Sequence, residues 1–248
     1  MNDGPVFKAI AKRAKSGWRS YWVLLDPDDY TVDKGAEMAL RAQDAGVDAL
    51  LIGGSLIHTN RFGEFVRRVR ESVSIPAILF PGDATQLSAD ANAILFLSLI
   101  SGRNPVNLIG EHVKAAPRIK ELGLEAIPTA YMLVESGAVT SVEFMSNTRP
   151  LPRGKPAIAA AHALAAEYMG MKAIYLEAGS GAPQTVPNAM VSLVRSQVDI
   201  PLIVGGGIRS VEAAQEKYDA GADIVVTGNM LQQADGLTTM KRIAGLLR

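Results

Sequence analysis

The 248-residue chain contains no cysteine, only three histidines and no long run of uncharged apolar residues. The lack of cysteine excludes disulfides, thiolate zinc sites and cysteine nucleophiles. The histidines, His58, His112 and His162, are too far apart in sequence to suggest a metal-binding pair. The segment from Met1 to Ser16 mixes charged with apolar residues, unlike a signal peptide, and no stretch is long enough to cross a bilayer. These absences favour a cytoplasmic protein without a transmembrane segment.

The chain also lacks an excess of charge of either sign. Its 25 basic and 25 acidic residues give a formal net charge of zero. A protein that coats nucleic acid needs a basic surface, so this balance argues against a nucleic-acid partner, and any anion must be bound locally. The length is that of one (β/α)8 barrel, and we therefore expect residues 1–248 to form a single barrel domain.

Short apolar runs alternate with helical patterns along the sequence. The predicted strands are Trp22 to Leu25, Ala49 to Ile52, Ala77 to Phe80, Ile94 to Leu97, Ala126 to Thr129, Ala173 to Leu176, Leu202 to Val204 and Ile224 to Val226. The predicted helices are Asp33 to Ala45, Phe62 to Glu71, Leu108 to Leu122, Pro156 to Met169, Pro187 to Ser196, Val211 to Ala220 and Leu237 to Leu247. Continuous apolar runs are typical of parallel strands that are buried on both faces, so the pattern predicts an α/β fold of the TIM-barrel type.

Two connections depart from the regular repeat. Only Pro81 to Ala93 separate the third predicted strand from the fourth, which is too short for a crossover helix with its turns. We therefore expect a modified barrel in which a loop or short extended piece replaces the third helix. By contrast, Tyr131 to Lys155 form a long connection after the fifth strand, and long ordered loops at this face of a barrel are usually functional.

Glycine clusters follow the last two predicted strands. The run Gly205 to Gly207 comes directly after the seventh strand, and Gly228 with Asn229 after the eighth. Glycine lets the backbone approach an anion closely, and barrels commonly bind phosphate after these two strands. One such cluster could simply make a tight turn, but two adjacent clusters favour a phosphate site. Arg209 either adds positive charge there or is an ordinary exposed arginine at a helix start.

Carboxylates are predicted at the ends of the first and sixth strands. Asp26 can help to hold Mg²⁺, with the hydroxyl of Ser55 nearby, or can merely cap a turn. Glu177 follows an apolar strand and a glycine-rich turn comes after it, so it is a candidate general base, although it could instead form an ion pair across the barrel rim. Tyr175 points the same way as Glu177 because strand faces repeat every two residues, and its alternative role is interior packing.

Over nearly its whole length the chain resembles the geranylgeranylglyceryl phosphate synthase family, and more closely the second of its two groups. The matching motifs are Leu25-Asp26-Pro27-Asp28, Gly53-Gly54-Ser55, Phe80-Pro81-Gly82, SLISGRNP from Ser98, Met145-Ser146-Asn147-Thr148, YLEAGSGA from Tyr175, VGGGIR from Val204 and TGN from Thr227. The resemblance implies a Mg²⁺-dependent prenyltransferase that joins a long-chain polyprenyl diphosphate to the 3-hydroxyl of sn-glycerol 1-phosphate. The product is an ether lipid precursor, and a homo-oligomer, dimer or hexamer, is expected.

The resemblance also implies site residues. Catalytic roles fall on Glu177 and Tyr175, and Mg²⁺ falls on Asp26 and Ser55. The glycerol phosphate positions are Tyr175, Leu176, Glu177, Ala178, Gly179, Ser180, Gly181, Gly206, Gly207, Gly228 and Asn229. Many relatives carry a lysine after the DPD run, where this chain has Asp29, so Arg61, Arg103 and Arg149 are the candidates for contact with the diphosphate.

Two other classes of protein keep some of these features. A sugar-phosphate isomerase or an indole-forming synthase has the same phosphate loops. Barrel isomerases that act on phosphoribosyl substrates also need an aspartate at the end of the fifth strand, where this chain has Tyr131. A non-catalytic phosphate-binding protein would need neither Glu177 nor Asp26. The prenyltransferase hypothesis accounts for all of these residues together.

Overall fold

The computed structural model describes residues 3–233 and 235–247, without the side chains of Asn229 and Leu231. The strands are β1 Ser20–Leu25, β2 Ala49–Ile52, β3 Ala77–Leu79, β4 Ala93–Leu99, β5 Glu125–Leu133, β6 Ala173–Glu177, β7 Leu202–Gly205 and β8 Ile224–Thr227. All eight pair in parallel with their sequence neighbours, and β1 also pairs with β8, which closes the barrel. The predicted TIM-barrel fold is confirmed.

Helices pack around the barrel and against its two ends. They are α1 Pro5–Lys15, α2 Val32–Asp44, α3 Phe62–Ser72, α4 Glu111–Glu121, α5 Ser141–Ser146, α6 Pro156–Tyr168, α7 Asn188–Arg195, α8 Val211–Asp219 and α9 Gly236–Gly245. A π-helical turn, Val106–Gly110, precedes α4, and a 3-10 turn, Asn229–Gln232, follows β8. Within the described residues, no helix is long and apolar enough to span a membrane.

The sequence reading missed α1. Its side chains mix charges with apolar residues, but the helix is held by a distant partner that no local pattern reveals. The carboxylate of Glu125, at the start of β5, accepts hydrogen bonds from the backbone N–H groups of Val6 (2.9 Å) and Phe7 (2.7 Å). A carboxylate at a helix N-terminus satisfies donors that have no partner inside the helix. Helix α1 is therefore fixed at the end of the barrel where the strands begin.

Among the described residues, no helix lies between β3 and β4, as expected. Between β3 and β4 the chain forms turns, and the buried side chain of Gln86 fastens them to the preceding loop. Its carboxamide nitrogen donates to the carbonyl of Gly54 (2.9 Å), and its oxygen accepts from the N–H of Gly82 (3.1 Å). These bonds hold the loop after β3 against the loop after β2, where no crossover helix covers the barrel.

Side chains fill the barrel in alternation, which decides what faces the mouth. Tyr175 packs among the inward-facing residues, whereas Leu176 packs outward against the helices. Strand β5 runs to Leu133, four residues beyond the predicted end at Thr129, because these residues continue to pair with β6, and the N–H of Leu133 also donates to the hydroxyl of Ser101 (2.9 Å). This extension places Tyr131 inside the barrel beside Tyr175.

Candidate active site

Two adjoining cavities open at the carboxyl ends of the strands. The first, which we call the glycine-loop cavity, has a volume of about 320 Å³ and is lined by Asp26, Glu177 and the glycines that follow β6, β7 and β8. The second, which we call the apolar trench, has a volume of about 260 Å³ and lies between α4 and the loop that joins β3 to β4. Phe80 and Tyr131 line both cavities, so the two form one continuous site.

Glu177 is buried at the end of β6, with its carboxylate turned back over its own turn. Its Oε1 accepts a hydrogen bond from the N–H of Gly179 at 2.6 Å. Burial raises the pKa of Glu177 to about 7, and hydrogen bonds from Gly179, Tyr175 and Ala178 oppose that rise. A carboxylate whose pKa lies near neutrality is well suited to accept a proton.

Gly205, the last residue of β7, and Gly206, which follows it, make room for this carboxylate. A Cβ on Gly206 would lie 2.3 Å from Oε1 of Glu177, and one on Gly205 would lie 3.0 Å from Oε2. Gly206 also has a φ of +84°, which side-chain-bearing residues rarely adopt. A substitution at Gly206 therefore disturbs Glu177 as well as any phosphate site, and Gly228 is the cleaner position for testing the phosphate.

Three aromatic rings meet where the cavities join. Phe80 stacks on Tyr175 with ring centroids 5.2 Å apart, and Tyr131 lies 5.8 Å from Phe80 and 5.4 Å from Tyr175. The hydroxyl of Tyr175 and Oε2 of Glu177 both lie close to Gly205. A Cβ added to Gly205 would be 2.6 Å from the hydroxyl and 3.0 Å from Oε2. Burial raises the pKa of both tyrosines well above the ordinary value, so both phenols stay neutral.

The predicted phosphate residues are only partly brought together. Ser180, Gly181, Gly206, Gly207 and Gly228 line the glycine-loop cavity with Tyr175 and Glu177. Leu176 faces away from it, Ala178 is buried beside it, and the N–H of Gly179 is already bonded to Glu177. The side chain of Asn229 lies outside what the structure describes.

Arg209 supplies positive charge to this cavity. Among the described residues that line it, Arg209 is the one cationic side chain, and its Nη2 donates to the carbonyl of Gly181 at 2.8 Å. The three arginines expected to contact the diphosphate, Arg61, Arg103 and Arg149, are absent from the described walls of both cavities. Arg61 instead makes two hydrogen bonds to Glu64, and Arg103 donates to the carbonyl of Gly102 at 2.7 Å.

Asp26 and Ser55 line the same cavity, at the ends of β1 and β2, and β1 is the direct neighbour of β8, which Gly228 follows. Oδ1 of Asp26 accepts from the N–H of Asp28 at 3.0 Å, and a Cβ on Gly54 would lie 2.7 Å from Oδ2. Desolvation raises the pKa of Asp26 to about 6, with a further rise from the nearby carboxylates of Asp29 and Asp28. This concentration of negative charge favours a cation.

The donor set fits a hard cation that shares its shell with substrate. Among the described residues no group of three or more His, Cys, Asp or Glu side chains could hold a metal by itself. Mg²⁺ commonly uses one or two carboxylates and completes its shell with water and phosphate oxygens. Asp26 and Ser55 suit that kind of site.

Sequence reasoning missed Gln86, whose carboxamide lies behind this part of the site. In addition to the bonds described above, the side-chain oxygen of Gln86 accepts a hydrogen bond from the N–H of Gly54 at 3.4 Å. A lone glutamine in a loop of small polar residues gives no sequence signal, because its importance comes from two loops that meet only in the folded barrel.

Comparison with known proteins identifies the family of this chain. The sequence pattern described as the PcrB family matches residues 13–245. The chain belongs to this family. It is 44% identical over 232 residues to geranylgeranylglyceryl phosphate synthase of Chitinophaga pinensis, covering 94% of this chain and 92% of that protein. It is 49% identical over 218 residues to the protein of the same name from Spirosoma linguale, covering 88% of each.

A solved structure of this family is also similar throughout. The crystal structure of (S)-3-O-geranylgeranylglyceryl phosphate synthase from Thermoplasma acidophilum, in complex with its substrate sn-glycerol 1-phosphate, superposes with a TM-score of 0.93. The two sequences are 32% identical, and the match covers 100% of this chain and 99% of the other. The family resemblance inferred from the motifs is confirmed.

Proposed function

We propose that this protein joins a long-chain polyprenyl diphosphate, such as geranylgeranyl diphosphate, to the 3-hydroxyl of sn-glycerol 1-phosphate. The observation that supports this most directly is the junction of two unlike cavities. One offers glycine amides and a buried carboxylate, which suit a small phosphorylated alcohol, and the other is an apolar trench, which suits a hydrocarbon tail. The names and the bound substrate of the relatives support the same reaction.

In this proposal the glycine loops and Arg209 hold the phosphate of sn-glycerol 1-phosphate and direct its 3-hydroxyl toward Glu177. The hydroxyl oxygen forms a bond to C1 of the prenyl chain while the bond from C1 to the diphosphate oxygen breaks. The diphosphate leaves with the electron pair of that bond. Glu177 takes the proton of the hydroxyl, and Tyr175 orients it. Catalysis here depends on a positioned base and a fixed direction of attack.

The aromatic residues at the junction have a role in the same step. Positive charge develops at C1 as the diphosphate departs, and the faces of aromatic rings attract cations. Phe80, Tyr131 and Tyr175 surround the point where the two cavities meet. We assign to these three rings the stabilisation of that charge, while the apolar trench holds the rest of the tail.

We further propose that the reaction depends on Mg²⁺, which Asp26 and Ser55 would hold. The support is electrostatic. A diphosphate placed beside Asp26 and Asp29 meets two carboxylates and no nearby lysine or arginine among the described lining residues except Arg209. When bound, the ion would neutralise charge on the leaving diphosphate. Asp26 would position it through a carboxylate already fixed by the Asp28 amide.

A barrel isomerase or synthase that acts on a sugar phosphate fits these observations less well. The last three residues of β5 are Tyr131, Met132 and Leu133, so this strand end carries no carboxylate, and an apolar trench does not suit a polar sugar. Incubation of purified protein with radiolabelled sn-glycerol 1-phosphate and polyprenyl diphosphates of several lengths tests the proposal. We expect label to enter the organic phase only when both substrates are present, and water-soluble label throughout would contradict it.

Gly228→Ala tests whether the glycine loops bind the phosphate. A methyl group there would meet no protein atom nearer than 3.9 Å, and φ is −100°, so the fold should tolerate it. It would crowd an anion bound at the adjacent amide, and loss of one hydrogen bond to a charged group weakens affinity about tenfold or more. Calorimetry with sn-glycerol 1-phosphate should show this loss. Gly63→Ala, in open space on α3, is the matched control, and equal affinities of the two variants would move the phosphate elsewhere.

A further inference from the structure

Helix α5 stands where the two cavities meet. Ser141 lines the glycine-loop cavity, and Met145 and Ser146 line the apolar trench. Val142 lines both cavities and packs against the inward-facing cluster that contains Tyr131. The position of α5 therefore sets the shape of the space that the proposed function assigns to each substrate.

This helix cannot hold its position by itself. It has only six residues, and helices of fewer than about 12 residues are marginal in isolation. The last carbonyls of a helix also have no partner inside it. One of them is bound from outside in α5: Nδ2 of Asn104, in the loop after β4, donates to the carbonyl of Ser146 at 2.7 Å. This bond connects the C-terminal end of α5 to the loop that leads to α4.

The carboxamide of Asn104 is used on both sides. Its Oδ1 accepts from the N–H of Val106 at 3.1 Å, and its Nδ2 also donates to Oδ1 of Asn107 at 3.1 Å. The N–H of Val106 requires an oxygen and the carbonyl of Ser146 requires a nitrogen, so these partners fix the orientation of the amide. Asn104 therefore combines a local turn with a bond to a distant segment.

Close packing supports the same connection. A Cβ on Gly102 would lie 2.5 Å from Cγ2 of Thr148, so the loop after β4 fits closely against the chain that follows α5. The buried hydroxyls of Thr148 and Ser146 are hydrogen-bonded at 2.7 Å. Asn147, between them, ends the helix with a φ of +48°. Two of the motifs on which the family resemblance rests thus meet here, although neither supplies a reacting group.

The two ends of α5 are held independently. At the N-terminal end Thr140 packs against the glycine-rich turn after β6, since a Cβ on Gly179 would lie 2.4 Å from Cγ2 of Thr140. We propose that Asn104 is a positioning residue for the prenyl donor, the polyprenyl diphosphate, because it holds the C-terminal end of α5 and with it one side of the apolar trench. This inference rests on the proposed function. Loss of the Asn104 bond should change the trench and leave the glycine-loop cavity as it is.

Asn104→Ser separates the two functions of the side chain. The serine hydroxyl can still accept from the N–H of Val106, but it is too short to reach the carbonyl of Ser146. Calorimetry with geranylgeranyl diphosphate and Mg²⁺, without the second substrate, should show an affinity about three- to tenfold weaker, the effect of one lost hydrogen bond. Affinity for sn-glycerol 1-phosphate, and kcat at saturating donor, should be unchanged. A general loss of stability would instead weaken the binding of both substrates.

Matched variants identify the cause of any loss. Asn60→Ser alters an exposed asparagine before α3 and should leave both affinities unchanged. If Asn104→Ser does not fold, Thr148→Val takes its place, because it keeps the shape of the side chain and removes the hydroxyl bonded to Ser146. Donor affinity equal to that of the native protein, or an equal loss for both substrates, overturns the role of Asn104. Absence of product with the native protein would instead overturn the proposed function, while donor binding still reports on Asn104.

Discussion

Glu177→Gln is expected to reduce turnover about 10²- to 10⁴-fold, the usual effect of removing a general base. The amide has the same shape and keeps an oxygen that can accept from the N–H of Gly179, so the turn and both cavities should persist. The loss should appear in kcat more than in the affinity for sn-glycerol 1-phosphate. Steady-state kinetics and calorimetry measure the two quantities separately. Glu71→Gln, which alters an exposed carboxylate on α3, serves as the control.

The pH dependence gives the same prediction a second readout. Glu177 must be deprotonated to act as a base, and burial raises its pKa to about 7. The value of kcat/KM should therefore fall as pH decreases through about 7, approaching tenfold per pH unit below it. This fall of kcat/KM at acidic pH, the acidic limb of the pH profile, should be missing in Glu177→Gln. A tenfold or smaller effect on turnover, with the limb intact, would reduce Glu177 to a positioning residue.

Asp26→Asn is expected to lower turnover by about 10²-fold or more, because a metal ion that stabilises charge in the transition state is worth several kcal/mol. Asparagine keeps the oxygen that accepts from the N–H of Asp28 but has no negative charge to attract Mg²⁺. Affinity for sn-glycerol 1-phosphate should be unchanged, since the proposal assigns its phosphate to the amides of the glycine loops and to Arg209, and not to Asp26. Turnover measured across a Mg²⁺ titration, with calorimetry, checks both statements.

The exposed Asp44, at the end of α2, provides the control as Asp44→Asn. Turnover of Asp26→Asn near the native value at limiting Mg²⁺ would contradict the proposed metal site. Weaker binding of sn-glycerol 1-phosphate would show instead that Asp26 belongs to the phosphate cradle.

The sequence predicts the barrel well because parallel strands buried on both faces leave continuous apolar runs. It also predicts that no helix joins β3 to β4, because the number of residues in that connection is too small for a helix and its turns. The end of β5 and the whole of α1 were missed for a common reason. Pairing with β6 and a bond to Ser101 hold the end of β5, Glu125 holds α1, and all of these partners are distant in sequence.

The residues of the candidate active site likewise include some that local sequence patterns predict and others that depend on distant contacts. Glu177 and Tyr175 are predictable together because residues two apart on a strand share a face. The clustering of Tyr131, Tyr175 and Phe80 depends on strand register and barrel closure, which no local motif specifies. Likewise the sequence alone does not show whether Arg209 adds charge to the phosphate site or is an ordinary exposed arginine. Its position in the wall of the glycine-loop cavity and its bond to the Gly181 carbonyl appear only in the folded structure.

A crystal structure of this protein with sn-glycerol 1-phosphate tests the central claim most directly. The account predicts phosphate oxygens about 3 Å from backbone N–H groups of Gly206, Gly207 or Gly228, and the 3-hydroxyl about 3 Å from the carboxylate of Glu177. The hydroxyl should also face the ring of Tyr131, toward the apolar trench. A phosphate bound away from these amides, or a 3-hydroxyl turned away from Glu177, would contradict it.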